Sequence, residues 1–73
     1  MREWLKKLRV ESGFTMKEVG EKLGISEGYY SLIESGNRQK SMDMKLATQL
    51  AEIFGISLDY IAAKEAEAGN LLV

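Results

Sequence analysis

Apolar residues between positions 15 and 36 recur with the spacing of two short helices joined by a tight turn. Val19 and Leu23 are four positions apart, so they share one face of a first helix. Tyr30 and Ile33 continue the apolar stripe on a second helix after the turn. A strand would instead show strict alternation of apolar and polar residues. The segment is therefore predicted to be a pair of α-helices.

The ends of these two helices carry residues that start and stop helices. Thr15 can cap the first helix, and Glu18 three residues later completes a capping box. Gly24 can end that helix in the left-handed conformation, and Ser26 caps the next. Gly20 lies where two steeply crossed helices need closely spaced backbones. This is the spacing of a DNA-binding helix-turn-helix, although by pattern alone any small α-hairpin fits equally well.

Three further helices are predicted around this pair. Gly13 stops the first of them, and the cap of the fourth helix is either Ser41 or Asp43, of which we favour Asp43. The five predicted helices span residues 2–12, 16–23, 27–34, 44–54 and 58–66. The stripe residues of the other three helices that are expected to face the core are Leu5, Leu8, Met44, Ala47, Leu50, Ala51, Phe54, Leu58, Ile61 and Ala62, with Trp4 beside them.

Composition narrows the chemistry that the chain can perform. The 73 residues are predicted to form one domain, near the size at which only ~60% of the unfolded surface is buried. The chain has no cysteine and no histidine, so no disulfide, metal or cofactor site is expected. An enzyme is disfavoured, because the sequence shows no glycine-rich phosphate loop and no evident pair of carboxylates. No signal peptide or membrane-spanning run is visible, and a cytoplasmic location is expected.

Charge is unevenly distributed along the chain, although the formal net charge is −1. Residues 1–46 carry nine Lys or Arg and seven acidic residues, whereas residues 47–73 carry Lys64 alone against four acidic residues. Glu65 and Glu67 oppose the dipole at the end of the fifth predicted helix, so its last turn is expected to fray unless it is held. The acidic half could bind a partner protein, and a solvated acidic helix explains it equally well.

An ordered set of short segments extends this pattern over most of the chain. The segments are residues 4–9 (WLKKLR), 17–19 (KEV), 21–26 (EKLGIS), 29–34 (YYSLIE), 36–38 (GNR) and 50–59 (LAEIFGISLD). In this order they resemble the Xre family, the group of phage Cro proteins and phage repressors, over residues 3–62. The resemblance implies an all-α, five-helix, phage-repressor-like domain with its helix-turn-helix at residues 15–35, and it implies double-stranded DNA as the partner.

The outward residues of the predicted third helix are candidates for reading bases, because the N-terminus of this helix enters the major groove in such folds. Tyr30 and Ile33 face inward. The outward set is Ser26 at the cap, Glu27, Gly28, Tyr29 at the margin, Ser31 and Leu32. By resemblance, the three main base-reading positions of the family fall on Glu27, Gly28 and Leu32.

This outward set contains no Arg, Lys, Asn or Gln, the side chains that make bidentate contacts with guanine or adenine. Glu27 can accept a hydrogen bond from a cytosine amino group, or it can simply favour the positive end of the helix dipole. Leu32 and Tyr29 can touch thymine methyl groups, although single exposed apolar side chains are ordinary on protein surfaces. A site with C near T is therefore expected.

Phosphate contacts are expected from side chains and amides around the same two helices. The candidates are Met16, Lys17, Ser35, Asn37, Arg38 and Lys40, with Lys6 and Arg9 as alternatives. By resemblance, Ser35, Asn37 and Arg38 match the phosphate-contacting segment of the family. Met16 stands where many members carry a bracing Gln, so only the backbone amide at this helix start can meet a phosphate.

The predicted function is sequence-specific binding of double-stranded DNA by a small transcriptional repressor that occupies an operator. One helix-turn-helix reads only a few base pairs, so a homodimer is expected. Its contact surface is expected at residues 57–73, which end in the apolar tail Leu71-Leu72-Val73, or the tail folds back on its own core. The alternative is a protein-interaction module, such as an antitoxin, with weak or no DNA binding. The acidic Glu27, the missing Gln and the low isoelectric point would all allow it.

Overall fold

The computed structural model describes residues 2–39, 41–68 and 71–72, the last two as backbone. The elements in chain order are α1 (Glu3–Glu11), α2 (Met16–Leu23), α3 (Glu27–Ser35), β1 (Ser41–Met42), α4 (Met44–Phe54), α5 (Leu58–Glu67) and β2 (Leu71–Leu72). The predicted all-α, five-helix architecture is confirmed, with one short pair of strands added. Among the described residues, no helix is long and apolar enough to cross a membrane.

The predicted helix ends are formed by the expected local hydrogen bonds. The Thr15 hydroxyl accepts from the Glu18 backbone N–H at 3.1 Å, and the Glu18 carboxylate accepts from the Thr15 N–H at 2.8 Å. Gly24 adopts the left-handed conformation, with a φ of 76°. The choice at α4 is settled in favour of Asp43, whose side chain accepts from the Leu46 N–H at 2.8 Å. These caps set where α2 begins and ends and where α4 begins, through local hydrogen bonds and backbone conformation.

Gly20 permits the close crossing of α2 and α3. A Cβ atom on Gly20 would lie 3.1 Å from the carbonyl oxygen of Ile25 and 3.3 Å from that of Ser26. Both neighbours are backbone atoms of the turn, which cannot rotate away as a flexible side chain could. The crossing of the helix-turn-helix therefore depends on the missing side chain, as the sequence predicts.

The core contains most of the predicted stripe residues of the five helices, Ala62 is only partly buried outside the core cluster, and two others are exposed. Its buried apolar residues are Trp4, Leu5, Val19, Leu23, Tyr30, Ile33, Met42, Leu46, Ala47, Leu50 and Ile61. Met44 and Leu58 were predicted to face inward, but they are 47% and 37% exposed. Each is the first residue of its helix and lies before the stretch that packs on the core. In α4 and α5 the buried stripe therefore begins later than helical spacing predicted, at Leu46 and Ile61.

The last turn of α5 is held rather than frayed. Glu65 is fully buried, and its carboxylate accepts hydrogen bonds from Nε of Arg2 at 3.0 Å and from Nε1 of Trp4 at 3.1 Å. A buried carboxylate with a cationic partner and a second donor is compensated for its lost hydration. The last turn of α5 was expected to fray unless it was held, and the hydrogen bonds from Arg2 and Trp4 hold it.

The two strands form a parallel pair, in which Ser41 faces Leu71 and Met42 faces Leu72. The backbone of Leu71 and Leu72 thus lies against the segment between α3 and α4 of the same chain. The sequence left open whether the apolar tail forms a dimer contact or folds back on its own chain, and the pairing of β1 with β2 corresponds to folding back. Val73 lies outside the described residues.

Candidate nucleic-acid interface

The outer side of α3 is open to solvent over its N-terminal half. Glu27, Gly28 and Tyr29 are all exposed, and Leu32 one turn later is 36% exposed. A Cβ atom built on Gly28 would meet no atom within 4 Å, so the helix surface there is flat and accessible. The predicted base-reading residues are therefore exposed on α3 and its cap, except that Ser31 is partly buried.

The start of α3 is fixed by Ser26, whose hydroxyl accepts from the Tyr29 backbone N–H at 3.0 Å. Glu27 is the first helical residue, where a carboxylate is stabilised by the positive end of the helix dipole. Ser26 and Glu27 are both exposed. The cap leaves the Ser26 hydroxyl free to donate a further hydrogen bond outward, because a hydroxyl is both donor and acceptor.

The inner side of α3 is anchored by an ion pair that the sequence interpretation missed. Arg9 of α1 donates from Nε to Oε2 of Glu34 at 2.6 Å, and its Nη1 donates to the carbonyl of Phe14 at 3.1 Å. The hydrogen bond to Glu34 raises the pKa of the Arg9 guanidinium, which therefore stays charged. Arg9 was an alternative phosphate contact, and its engagement with Glu34 argues against that role.

Tyr30 completes this inner side beneath Glu34. Its ring is fully buried. Burial, together with the adjacent Glu34 carboxylate, raises the pKa of the Tyr30 phenol far above its ordinary value. Near neutral pH the phenol is therefore uncharged, and it adds no charge of its own beneath α3.

The candidate phosphate contacts differ in how accessible they are. Lys17 on α2 and Arg38 after α3 are exposed, and Nη1 of Arg38 donates to the carbonyl of Asn37 at 3.2 Å. Ser35 is partly buried, and its hydroxyl donates to the carbonyl of Leu32 at 3.0 Å, leaving its lone pairs but no proton free. The side chain of Met16 is packed against the core, which leaves only its backbone amide. Lys40 lies outside the described residues.

The positive charge near α3 is smaller than the residue count suggests. Arg2 and Arg9 belong to the basic half of the sequence, but each is engaged by a buried carboxylate. Lys22 is exposed and lies over the ring of Phe14, with Nζ 5.0 Å from the centroid. Two of the nine basic residues of the first half are therefore not available to contact phosphates. Lys17 and Arg38 are the best-placed free cations among the described candidates.

Both buried ion pairs could have been recognised from the positions of their acidic members. Glu34 follows Tyr30 by four residues, and Glu65 follows Ile61 by four, so each carboxylate lies on an apolar stripe. An acidic residue on such a stripe signals a buried partner, because an unpaired carboxylate there would be very unfavourable. The identity of the partner could not be read from this signal.

Comparison with known proteins agrees with this geometry. A helix-turn-helix family model matches residues 5–61, and the chain belongs to that family. It is 50% identical over 42 residues to an uncharacterised HTH-type transcriptional regulator, YqaF, of Bacillus subtilis, a match that covers 58% of this chain and 55% of the relative. No solved structure gave a significant match. Fold and family together define a helix-turn-helix protein of the class found in transcriptional regulators.

Two further relatives match most of the chain at lower identity. The chain is 34% identical over 59 residues to the SPbeta prophage-derived uncharacterised HTH-type transcriptional regulator YonR of Bacillus subtilis, covering 81% of this chain and 53% of that protein. It is 38% identical over 63 residues to the propionyl-CoA carboxylase regulator of Cereibacter sphaeroides, covering 86% of this chain and 13% of that protein. The chain thus spans about half the length of these two Bacillus relatives, and it spans 13% of the length of the propionyl-CoA carboxylase regulator.

Proposed function

We propose that this chain binds double-stranded DNA with α3 in the major groove and acts as a transcriptional repressor by occupying an operator. The observation that carries the proposal is the contrast between the exposed outer side of α3 and its buried inner side. A capped helix with a free outer face, set across a second helix at a glycine contact, is the arrangement that places side chains against base edges.

Sequence would be read by Glu27 and Leu32. A carboxylate at the groove floor is repelled by the phosphates, so it is tolerated only where it meets a hydrogen-bond donor. The amino group of cytosine is the donor that a major groove offers to an acidic side chain. Gly28 would let the helix backbone approach closely, and Leu32 one turn on would lie against a thymine methyl group. We therefore propose C near T in each half of the site.

Affinity would come from phosphate contacts made by Arg38 and Lys17, together with backbone amides at the start of α2. Such contacts are independent of sequence and weaken as salt rises. Both side chains are exposed and lack an ion-pair partner among the described residues. Because these contacts are few, the slope of log affinity against log salt is expected to be shallow.

The active form is proposed to be a homodimer on a two-fold symmetric site, because one helix-turn-helix contacts too few base pairs for selectivity. Half-sites would lie about 34 Å apart, one helical turn of DNA. The exposed apolar residues Leu58 and Tyr60 on α5 support a contact there. Sedimentation of the chain with and without a Tyr60→Glu substitution tests the contact, and an unchanged monomer mass for both would contradict it.

Selection of bound duplexes from a random pool tests the whole proposal. The expected result is a two-fold symmetric site with C near T in each half, whose insertion in a promoter lowers transcription when the protein is present. A variant with Glu27→Ala and Leu32→Ala serves as control, because both residues are exposed and the fold should persist. Failure to enrich any site, with the protein folded, would overturn the proposal.

A protein-interaction role is the second candidate, and the engagement of Arg2 and Arg9 in ion pairs favours it by reducing free positive charge. On this hypothesis the acidic second half would bind a partner and α3 would touch no DNA. Retention on heparin or nonspecific duplex separates the two functions. Retention that falls steadily with salt supports DNA binding, and no retention at low salt supports the interaction module.

A further inference from the structure

Arg2 is a fully buried arginine that joins separate parts of the chain. Its Nε donates to the Glu65 carboxylate of α5 at 3.0 and 3.1 Å. Its Nη1 donates to the carbonyl of Ile33 at 2.6 Å and to that of Arg38 at 3.3 Å, and its Nη2 donates to the carbonyl of Gln39. One guanidinium thus ties α5 to the end of α3 and to the segment that follows it.

The segment after α3 needs such an anchor. Gln39 has a positive φ of 54°, a conformation that is unfavourable for a residue with a Cβ atom. The amides of Asn37 and Arg38 donate to the carbonyl of Leu32 at 2.9 and 3.1 Å, which fixes the beginning of the segment. The carbonyls of Arg38 and Gln39, at its far end, are the ones that accept from Arg2.

The anchor itself is immobilised from two sides. Glu65 accepts from Trp4 as well as from Arg2, so the carboxylate cannot turn away without breaking a second buried hydrogen bond. Because Arg2 is fully buried and neutralised by this carboxylate, it cannot contact DNA directly. Any influence on binding must pass through the segment that it holds.

We propose that Arg2 is the positioning residue for the Arg38 phosphate contact. This inference rests on the proposed DNA-binding function. The planar guanidinium presents several N–H groups in a fixed fork, which allows it to serve Glu65 and two consecutive carbonyls at once. A lysine at this position keeps the charge for Glu65 but lacks the fork. Arg2→Lys should therefore release the segment that carries Arg38 while leaving the ion pair in place.

A double-mutant cycle tests the proposal in the full chain. Affinity for the selected duplex is measured across salt concentrations for the parent, Arg2→Lys, Arg38→Ala and the combined variant, at a temperature at which circular dichroism shows all four to be folded. Arg2→Lys should reduce the slope of log affinity against log salt by about one unit, as Arg38→Ala does. The combined variant should bind no more weakly than Arg38→Ala alone. Independent, additive losses would overturn the proposal.

Arg9→Lys is the matched control, because it alters the other buried ion pair without touching the segment after α3. It should lower thermal stability and leave the salt slope unchanged. If Arg2→Lys does not fold, Glu65→Gln replaces it in the cycle, since it weakens the hold on Arg2 while keeping the side-chain shape. A Glu65→Gln variant with an unchanged slope would overturn the proposal.

A readout without DNA separates this proposal from the proposed function. Backbone amide chemical shifts of Arg38 and Gln39 should change in Arg2→Lys and remain unchanged in Arg9→Lys. If the parent chain binds no duplex but these shifts move, the proposed function fails while the anchoring by Arg2 stands. If the duplex binds and the shifts do not move, the positioning role is wrong and the DNA-binding function stands.

Discussion

The two sides of α3 differ in almost every physical property. On the inner side, Tyr30, Ile33 and Glu34 are at most 1% exposed, and Glu34 is bound to Arg9 of α1. On the outer side, Tyr29 and Leu32 are 37% and 36% exposed. The inner side therefore contributes to the stability of the fold, and the outer side is accessible to a binding partner. Substitutions on the two sides should separate stability from binding.

The largest expected effect comes from breaking the inner ion pair. Glu34→Ala leaves the Arg9 guanidinium partly buried without a partner, which should lower the free energy of unfolding by about 3 kcal/mol. Urea denaturation measures this loss. Replacing both residues, as Arg9→Met with Glu34→Leu, should recover most of the stability, because no uncompensated charge remains. Equal losses for the single and double variants would show that packing rather than charge is responsible.

Two glycines provide the next contrast. Gly20→Val should destabilise the protein by about 2 kcal/mol, because the added side chain meets backbone atoms of the turn. Gly28→Ala should instead stabilise it by about 0.5–1 kcal/mol, because the position is open and helical. Thermal melts of the two variants give the comparison. An unchanged melting temperature for Gly20→Val would mean that α2 and α3 can move apart without a loss of stability.

On the outer side, Glu27→Gln should change recognition at a cost in stability of no more than about 0.3–1 kcal/mol, the size of the lost interaction with the helix dipole. Glutamine can pair bidentately with adenine, so the preferred base should move from C towards A, with about 1–3 kcal/mol of discrimination lost at one base pair. Competition binding on single-base variants of the selected site measures this change. A uniform rise in affinity for every sequence would instead mean that Glu27 serves only the helix dipole.

A smaller and sequence-independent effect is expected from Arg38→Ala. It should weaken binding to all duplexes alike and reduce the salt slope by about one unit. Salt titration on the selected site and on an unrelated duplex provides the test. An altered base preference would contradict the assignment to phosphate.

The smallest effect is expected at Lys64, which serves as the control for lost positive charge. Its Nζ lies 3.7 Å from the Glu67 carboxylate at the surface of α5, and such exposed pairs contribute about 0–1 kcal/mol. Lys64→Ala should therefore change neither DNA affinity nor stability by more than this. A larger loss of DNA binding would place α5 at the interface.

The local features of the fold were predictable because they depend on neighbours in sequence. The capping box of Thr15 and Glu18, the cap at Asp43 and the left-handed turn at Gly24 each involve residues within a few positions of one another. The inward positions of Tyr30 and Ile33 likewise follow from helical spacing. The outer side of α3 was therefore recognisable as a candidate site before any tertiary contact was known.

Contacts between distant residues were decided only by the tertiary structure. Arg9 and Glu34 are 25 positions apart and Arg2 and Glu65 are 63 apart, and no local pattern pairs them. Their effect reaches the candidate site, since one pair removes positive charge from it and the other holds the segment that carries Arg38. The sequence by itself determined the helices, their caps and the face of α3, because these depend on short-range hydrogen bonds and periodicity. Which charges remain free to meet DNA depended on packing, because burial decides which carboxylate each arginine finds.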